Sequence, residues 1–303
     1  MDSSADEELV EKIAELKKER DALIIAHNFQ PLEVQGVADH VGGTLEILRK
    51  ATAAKKKVIV VGGVYFMAEM IAAICPGKVV LIPDLHANCP MIRMLEIEKL
   101  REAKASNPGI KVVSYIKSTL ESIAESDYCW TSDKALEMLA NTEDDILFTP
   151  NTHLGQNLAR WSRKRLALLG GYCPPHVKIL AKNVKKMKGE HPNAVVLAHP
   201  ECRGDVVKLA DDVMSSEDLT KFVRRSKETE FIIASEMGLI HRLTRENPDK
   251  KFYPASAKAL CQNMKLIDLG KIYWSLKEMI YRVKVPEDIA SKAGKILEKT
   301  LFS

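Results

Sequence analysis

Three cysteines stand where one chain could build chemistry from far-apart stretches. Cys89, Cys173 and Cys261 are spaced 84 and 88 residues apart, and each closes a copy of one longer pattern. In each copy an apolar run ends on a polar or aromatic residue: His27 in LIIAH, Tyr115 in KVVSY, His199 in VVLAH. Seventeen residues later comes a hydroxyl, at Thr44, Ser132 and Ser216. A second apolar run follows, with Gly63, Gly155 or Gly238 just beyond it, and then the cysteine. Self-similarity at a fixed period marks repeated structural units. Packed about a pseudo-threefold axis, three such units would bring three thiols to one point. The chain contains no CxxC pair, so zinc-ribbon and ferredoxin spacings are absent and the fold itself must assemble the ligands. Three thiolates suit an iron–sulfur cluster held by three of its irons, with the fourth open as a Lewis acid. Cys75, Cys129 and Cys202 fall outside these positions and read as small buried hydrophobes.

The hydroxyls stand where helices are predicted to begin, and Ser215 with Asp218 resembles a capping box. Capping explains each hydroxyl taken singly, but their common offset from a strand end asks for more. In parallel α/β units, ligands bind beyond the carboxyl ends of strands, beside helix N-termini that favour anions. Three such ends facing one axis would form a pocket for a small polyanion. His27, Tyr115 and His199 lie at those ends, and Glu201 follows in HPEC, a set able to transfer protons.

The elements that must position these groups are short continuous apolar strands alternating with helices. That pattern implies parallel sheets covered on both faces. An α/β fold follows, made of three repeated three-layer α/β/α units. The expected boundaries are 1–90, 91–174 and 175–261, with helices over 262–303 packing back on the first unit. Before the first strand, a charged amphipathic helix is predicted over about Asp6 to Arg20, unlike a signal peptide.

Composition narrows the classes. The 45 basic and 41 acidic side chains leave a net charge of +4, too weak to argue for nucleic acid. No run reaches the ~18 apolar residues of a membrane span. The best candidate, around VYFMAEMIAAIC, is broken by Glu69 and then by Pro76-Gly77-Lys78. A cytoplasmic location is expected, where cysteines bind metal or do chemistry more often than they pair.

The motifs AHNFQPLEVQGVAD, GGVYFMAE, LHANCPM, FTPNTHLG, GGYCPPH, AHPEC and FIIASEMGLIHRL through CQNMK together resemble the quinolinate synthase family over nearly the whole length. The resemblance implies condensation of iminoaspartate with dihydroxyacetone phosphate, releasing two waters and phosphate. It also implies a [4Fe–4S] cluster on Cys89, Cys173 and Cys261, in three α/β/α units about a pseudo-threefold axis. Carried over residue by residue, substrate binding falls on His27, Thr44, Tyr115, Lys117, Ser132, His199, Glu201 and Ser216. Glu201 becomes the candidate acid/base, with Tyr115 and His199 orienting and polarising substrate. The expected partners are these small molecules and an aspartate-oxidising enzyme supplying the imine, with no nucleic acid and no membrane.

The chain departs from the family pattern in its substrate shell. Phe29 stands where a tyrosine is typical, Gly43 where an aspartate is typical, and Lys117 where an asparagine is typical. Asn151-x-His153 replaces Asp-x-Asn, and Ser215-Ser216 replaces Ser-Thr. These departures define an alternative, a paralogous [4Fe–4S] dehydratase or condensing enzyme acting on another small carboxylate. A cluster protein that only senses iron or oxygen would have no need of Glu201, His199 and Tyr115.

Overall fold

The computed structural model describes residues 3–302. Twelve strands form three four-stranded sheets, and every pairing between these strands is parallel. The first sheet contains β1 (Ala22–His27), β2 (His40–Gly42), β3 (Val58–Gly62) and β4 (Val79–Leu81), in the order β2-β1-β3-β4. The second contains β5 (Lys111–Tyr115), β6 (Tyr128–Trp130), β7 (Ile146–Thr149) and β8 (Leu166–Leu168), in the order β6-β5-β7-β8. The third contains β9 (Val195–Ala198), β10 (Asp212–Val213), β11 (Glu230–Ala234) and β12 (Lys251–Pro254), in the order β10-β9-β11-β12. One strand order in three sheets is the architecture that the repeated pattern predicts.

The central strands are apolar because both of their faces are covered. ALIIAH of β1 and VIVVG of β3 are buried at every position. The covering helices show the complementary pattern. Ser216–Arg225 buries Leu219, Thr220 and Val223. Its N-terminus is capped by Ser215, acidic Glu217 and Asp218 occupy its first turn, and Arg224 and Arg225 its last, matching the helix dipole. Burying Leu219 alone is worth about 2 kcal/mol.

The sequence pattern predicts a loop or helix where β2, β6 and β10 form. These strands have only two or three residues, too few for periodicity to register. What fixes them is an aspartate used identically three times. Asp39 Oδ2 accepts from Ile24 N at 2.8 Å, Asp127 Oδ2 from Val112 N at 2.9 Å, and Asp211 Oδ2 from Val196 N at 2.8 Å. The N–H of each aspartate returns a bond to the carbonyl of the same residue. Each carboxylate thus occupies a place in the ladder that a longer strand would fill, and the edge strand starts in register from there.

The chain divides into two compact units. One runs to Cys89 and resumes at Gln262; the other is Pro90–Cys261. In the first, the helix Leu269–Glu278 packs on Ser3–Glu19, and Glu287–Phe302 packs on Tyr65–Ile74. Between them, Arg282 forms an antiparallel bridge to Leu81, covering the β4 edge. No described helix is long and apolar enough to cross a membrane.

Candidate active and metal-ligand site

In the unit Pro90–Cys261, Tyr115, Lys117, Cys173, His199 and Glu201, all singled out by the sequence, gather beyond the carboxyl ends of β5 and β9. Glu201 lies in the turn after β9 and is wholly buried. The turn is held by Asn157, whose Nδ2 donates to the Pro200 and Cys202 carbonyls, both at 2.9 Å. Glu201 Oε1 accepts from the Tyr115 hydroxyl at 2.8 Å and from Lys117 Nζ at 2.5 Å. Oε2 faces His176 Nδ1 at 3.4 Å, too poorly aligned for a full hydrogen bond. The Lys117 ammonium also lies 5.6 Å from the centre of the Tyr115 ring.

The electrostatics follow from burial and pairing. Burial, the largest single influence, would raise the Glu201 carboxyl, but its neighbours together, the Lys117 ammonium first among them, outweigh burial and hold it well below the ordinary carboxylate range. Burial would likewise depress Lys117, yet Glu201 prevails and the ammonium is held above its ordinary value. Burial, then Glu201, push the Tyr115 phenol up, against the lowering effects of Lys117 and a Ser132 hydrogen bond. At neutral pH the site therefore holds a carboxylate, an ammonium and a protonated phenol.

Two histidines take their tautomers from the backbone. Glu201 N donates to His199 Nδ1 at 3.2 Å, and Phe29 N donates to His27 Nδ1 at 3.1 Å. A nitrogen that accepts such a bond carries no hydrogen, so each ring is an Nε2–H donor. A donor of this kind at a strand end suits an anionic ligand.

Cys173 follows β8 in GGYCPPH. Gly170 there has φ +122°, and a Cβ on it would strike the Pro150 backbone, so only glycine lets the loop pass. Cys173 Sγ lies 3.1 Å from His176 Nδ1, and donor atoms of Cys173, His176 and Glu201 all fall within 4.8 Å of one another. Cys261 is held by its own N–H, which donates to Glu236 Oε1 at 2.9 Å. All six cysteines are thiols rather than disulfides.

The three repeat-ending cysteines share one backbone tether. Tyr65 N donates to Ala87 O at 2.8 Å, Thr152 N to Gly171 O at 2.8 Å, and Met237 N to Ala259 O at 2.9 Å. Each accepting carbonyl lies two residues before Cys89, Cys173 or Cys261. The three thiols are half-buried. Soft thiolates on matched tethers fit an iron–sulfur group. The remaining cysteines do not. Cys75, Cys129 and Cys202 are buried, burial pushes the Cys75 and Cys202 thiols up, and Cys202 Sγ donates to Ala234 O at 3.2 Å.

The other unit carries the first-repeat residues His27, Thr44 and Cys89. His27 ends β1, and its ring stands edge-on to Phe29 at 4.5 Å. Thr44 opens the helix Thr44–Ala53, and its buried Oγ1 has no hydrogen-bond partner among the described residues. Lys265, from CQNMK, donates to the Phe29 carbonyl, and Gln30 Nε2 to Met264 Sδ at 3.3 Å. The CQNMK motif thus clasps the AHNFQ turn.

Of the remaining expected residues, Ser216 opens a helix as predicted. Ser132 does not, because it lies in the turn before the helix Ala135–Ala140. Asn151 is a buried N-cap, its Oδ1 accepting from Leu154 N at 3.0 Å and its Nδ2 donating to Met91 Sδ at 3.2 Å. His153 is half-buried, 6.3 Å ring to ring from Tyr172. The residue that sequence reasoning passed over is His176. Its signal lay in the cysteine-to-histidine spacing of CPPH, three residues that one helical turn brings together.

Residues 11–302 match the profile of a family described as quinolinate synthetase A protein. A quinolinate synthase of Dehalococcoides mccartyi (strain CBDB1) is 44% identical over 291 residues, 96% of each chain. One of Desulforudis audaxviator is 43% identical over 297 residues, covering 97% of this chain and 98% of that protein. Quinolinate synthase 2 of Methanosarcina acetivorans is 42% identical over 294 residues, 97% of this chain and 95% of that one.

Proposed function

Because the chain belongs to the quinolinate synthetase A family, we propose that it is a quinolinate synthase condensing iminoaspartate with dihydroxyacetone phosphate. Its cofactor is a [4Fe–4S] cluster on Cys89, Cys173 and Cys261, the thiols that share one tether. The observation that carries the reading is the buried Glu201, bonded to Tyr115 and Lys117 and within reach of Cys173. When bound, such a cluster supplies an open iron that polarises a hydroxyl for loss as water.

The protein's own groups divide the remaining work. Two substrate carboxylates and a phosphate need donors, and Lys117, the Nε2–H of His27 and His199, and the hydroxyls of Thr44, Ser132 and Ser216 are donors. Glu201 enters ionised, so it acts first as a base. Oε1 is occupied by Tyr115 and Lys117, which leaves Oε2 to take the proton. Tyr115 keeps its phenolic proton and orients the carboxylate. The three-repeat division at 1–90, 91–174 and 175–261 belongs to this reading. So do a cytoplasmic location and an aspartate-oxidising enzyme as source of the imine.

Anaerobic reconstitution with iron and sulfide, followed by assay with both substrates, tests the proposal. Quinolinate should form in proportion to cluster content. A fully loaded protein that makes none would remove the reading. The Lys117–Glu201 ion pair favours a second one, in which the same apparatus serves a different small carboxylate. Restoring the usual residues in Lys117→Asn with Phe29→Tyr would then raise quinolinate formation, whereas unchanged output would dismiss it.

A further inference from the structure

We propose that His176 is a positioning residue that donates its Nδ1–H to the Cys173 thiolate and thereby sets the electronic state of the metal group. The inference rests on the cluster reading above. His176 lies three residues after Cys173, in the short helix Pro174–Val177, and is wholly buried. Its Nδ1 is 3.1 Å from Cys173 Sγ and 3.4 Å from Glu201 Oε2. Its Nε2 is 3.4 Å from Ser235 Oγ, and its ring stacks on His199 at 4.5 Å between centroids.

The chemistry of the neighbours fixes which nitrogen carries the hydrogen. A metal-bound thiolate can only accept, and so can an ionised carboxylate. Both face Nδ1, so Nδ1 must be the donor. Nε2 then accepts from the Ser235 hydroxyl, which is able to give a hydrogen. No other tautomer of a neutral ring satisfies these contacts.

Two consequences follow. A hydrogen bond to a cluster thiolate draws electron density from sulfur and favours the more reduced, more negative state. The stacked ring also braces His199, whose Nδ1 receives the Glu201 N–H. One side chain thus links a metal ligand to the carboxylate that does the proton transfer.

The test compares two amides in reconstituted full-length protein. His176→Asn can place an amide nitrogen near Nδ1, whereas His176→Gln places it near Nε2. Cluster midpoint potential, read by anaerobic titration with electron paramagnetic resonance, should stay near wild type in the Asn variant and fall in the Gln variant. If the Gln variant binds less iron, the Asn variant should bind more than it does. Ser235→Ala, a small change, should lower the potential by a lesser amount. Loaded variants with wild-type potentials, or Asn and Gln variants that behave alike, overturn the role of His176 alone. A wild-type protein that takes up no iron overturns the cluster reading, and this inference with it.

Discussion

Replacing Lys117 with methionine keeps the length of the side chain and deletes the charge that neutralises Glu201. Glu201 has no exposed side-chain surface and Lys117 only 15%, so solvent cannot take over the role of the ammonium. Removing one member of a buried ion pair costs about 3–5 kcal/mol. A second route bounds the loss. The orphaned carboxyl can escape by protonating, which at pH 7 costs about 3.7 kcal/mol for a group of ordinary pKa near 4.3, and at pH 5 only about 1 kcal/mol. The Tyr115 hydroxyl still reaches Oε1, so the lower end applies, about 3 kcal/mol at pH 7 or roughly 6–12 °C in Tm.

The signs follow from linkage. In the wild type Glu201 is depressed, so its stabilisation is present above its unfolded value and lost as pH falls through the folded one. Lys117 is raised, so its contribution is complete below its unfolded value near 10.4 and lost only at higher pH. In Lys117→Met the buried carboxyl is raised instead, and the deficit grows as pH climbs above about 4.3. The gap between the two proteins should therefore be near 3 kcal/mol at pH 7 and about 1 kcal/mol at pH 5. Anaerobic urea unfolding of apoprotein at both values measures it. The double variant Lys117→Met/Glu201→Gln, with both charges gone, should recover to within about 1 kcal/mol of wild type. A loss independent of pH, or a double variant no better than the single one, would refute the electrostatic account.

Serine at Cys89, Cys173 or Cys261 should each abolish the cluster's visible absorbance after reconstitution, while serine at Cys75 or Cys129 leaves it intact. Tyr115→Phe removes one of two donors to Glu201 Oε1, and kcat should fall by about 10²-fold with KM little changed, as read from steady-state rates of quinolinate formation. Asp127→Ala should destabilise the fold by about 1–3 kcal/mol by orphaning Val112 N, and Asp39→Ala and Asp211→Ala should do the same within error. A thermal melt that singled out one of the three would deny that the aspartates play one role.

Central strands declare themselves in sequence because burial on both faces leaves runs such as ALIIA and FIIA with few alternatives. The edge strands β2, β6 and β10 escape because their order comes from a carboxylate placed fifteen residues beyond its backbone partner. That signal was nonetheless present: Asp39, Asp127 and Asp211 each lie twelve residues after His27, Tyr115 and His199. Strand ends are legible for the same reason, since a common offset needs no knowledge of contacts. The Lys117–Glu201 pair is not legible from spacing, because 84 residues separate the partners and only the packing of two sheets brings them together. His176 lies between these cases, its spacing from Cys173 visible and its burial against Glu201 not.

The repeats keep one backbone scheme while their side chains diverge, and the divergence has a physical route. In the first and third repeats the residue two after the strand end donates its N–H to a histidine ring, which closes the turn whatever side chain that residue carries. Phe29 and Glu201 occupy this place, one apolar and one anionic, at no cost to the turn. Tyrosine has no ring nitrogen to accept such a bond. In the second repeat the turn is closed instead by Ser118 Oγ donating to the Tyr115 carbonyl at 2.6 Å. The aromatic ring is thereby released from local work, and its hydroxyl reaches Glu201 in the next repeat, with Lys117 beside it. Histidine at 115 would draw the ring back to its own backbone and take the phenolic donor away from the carboxylate. The tyrosine is thus what converts a self-contained turn into a link between repeats, and the Tyr115–Glu201 hydrogen bond is that link.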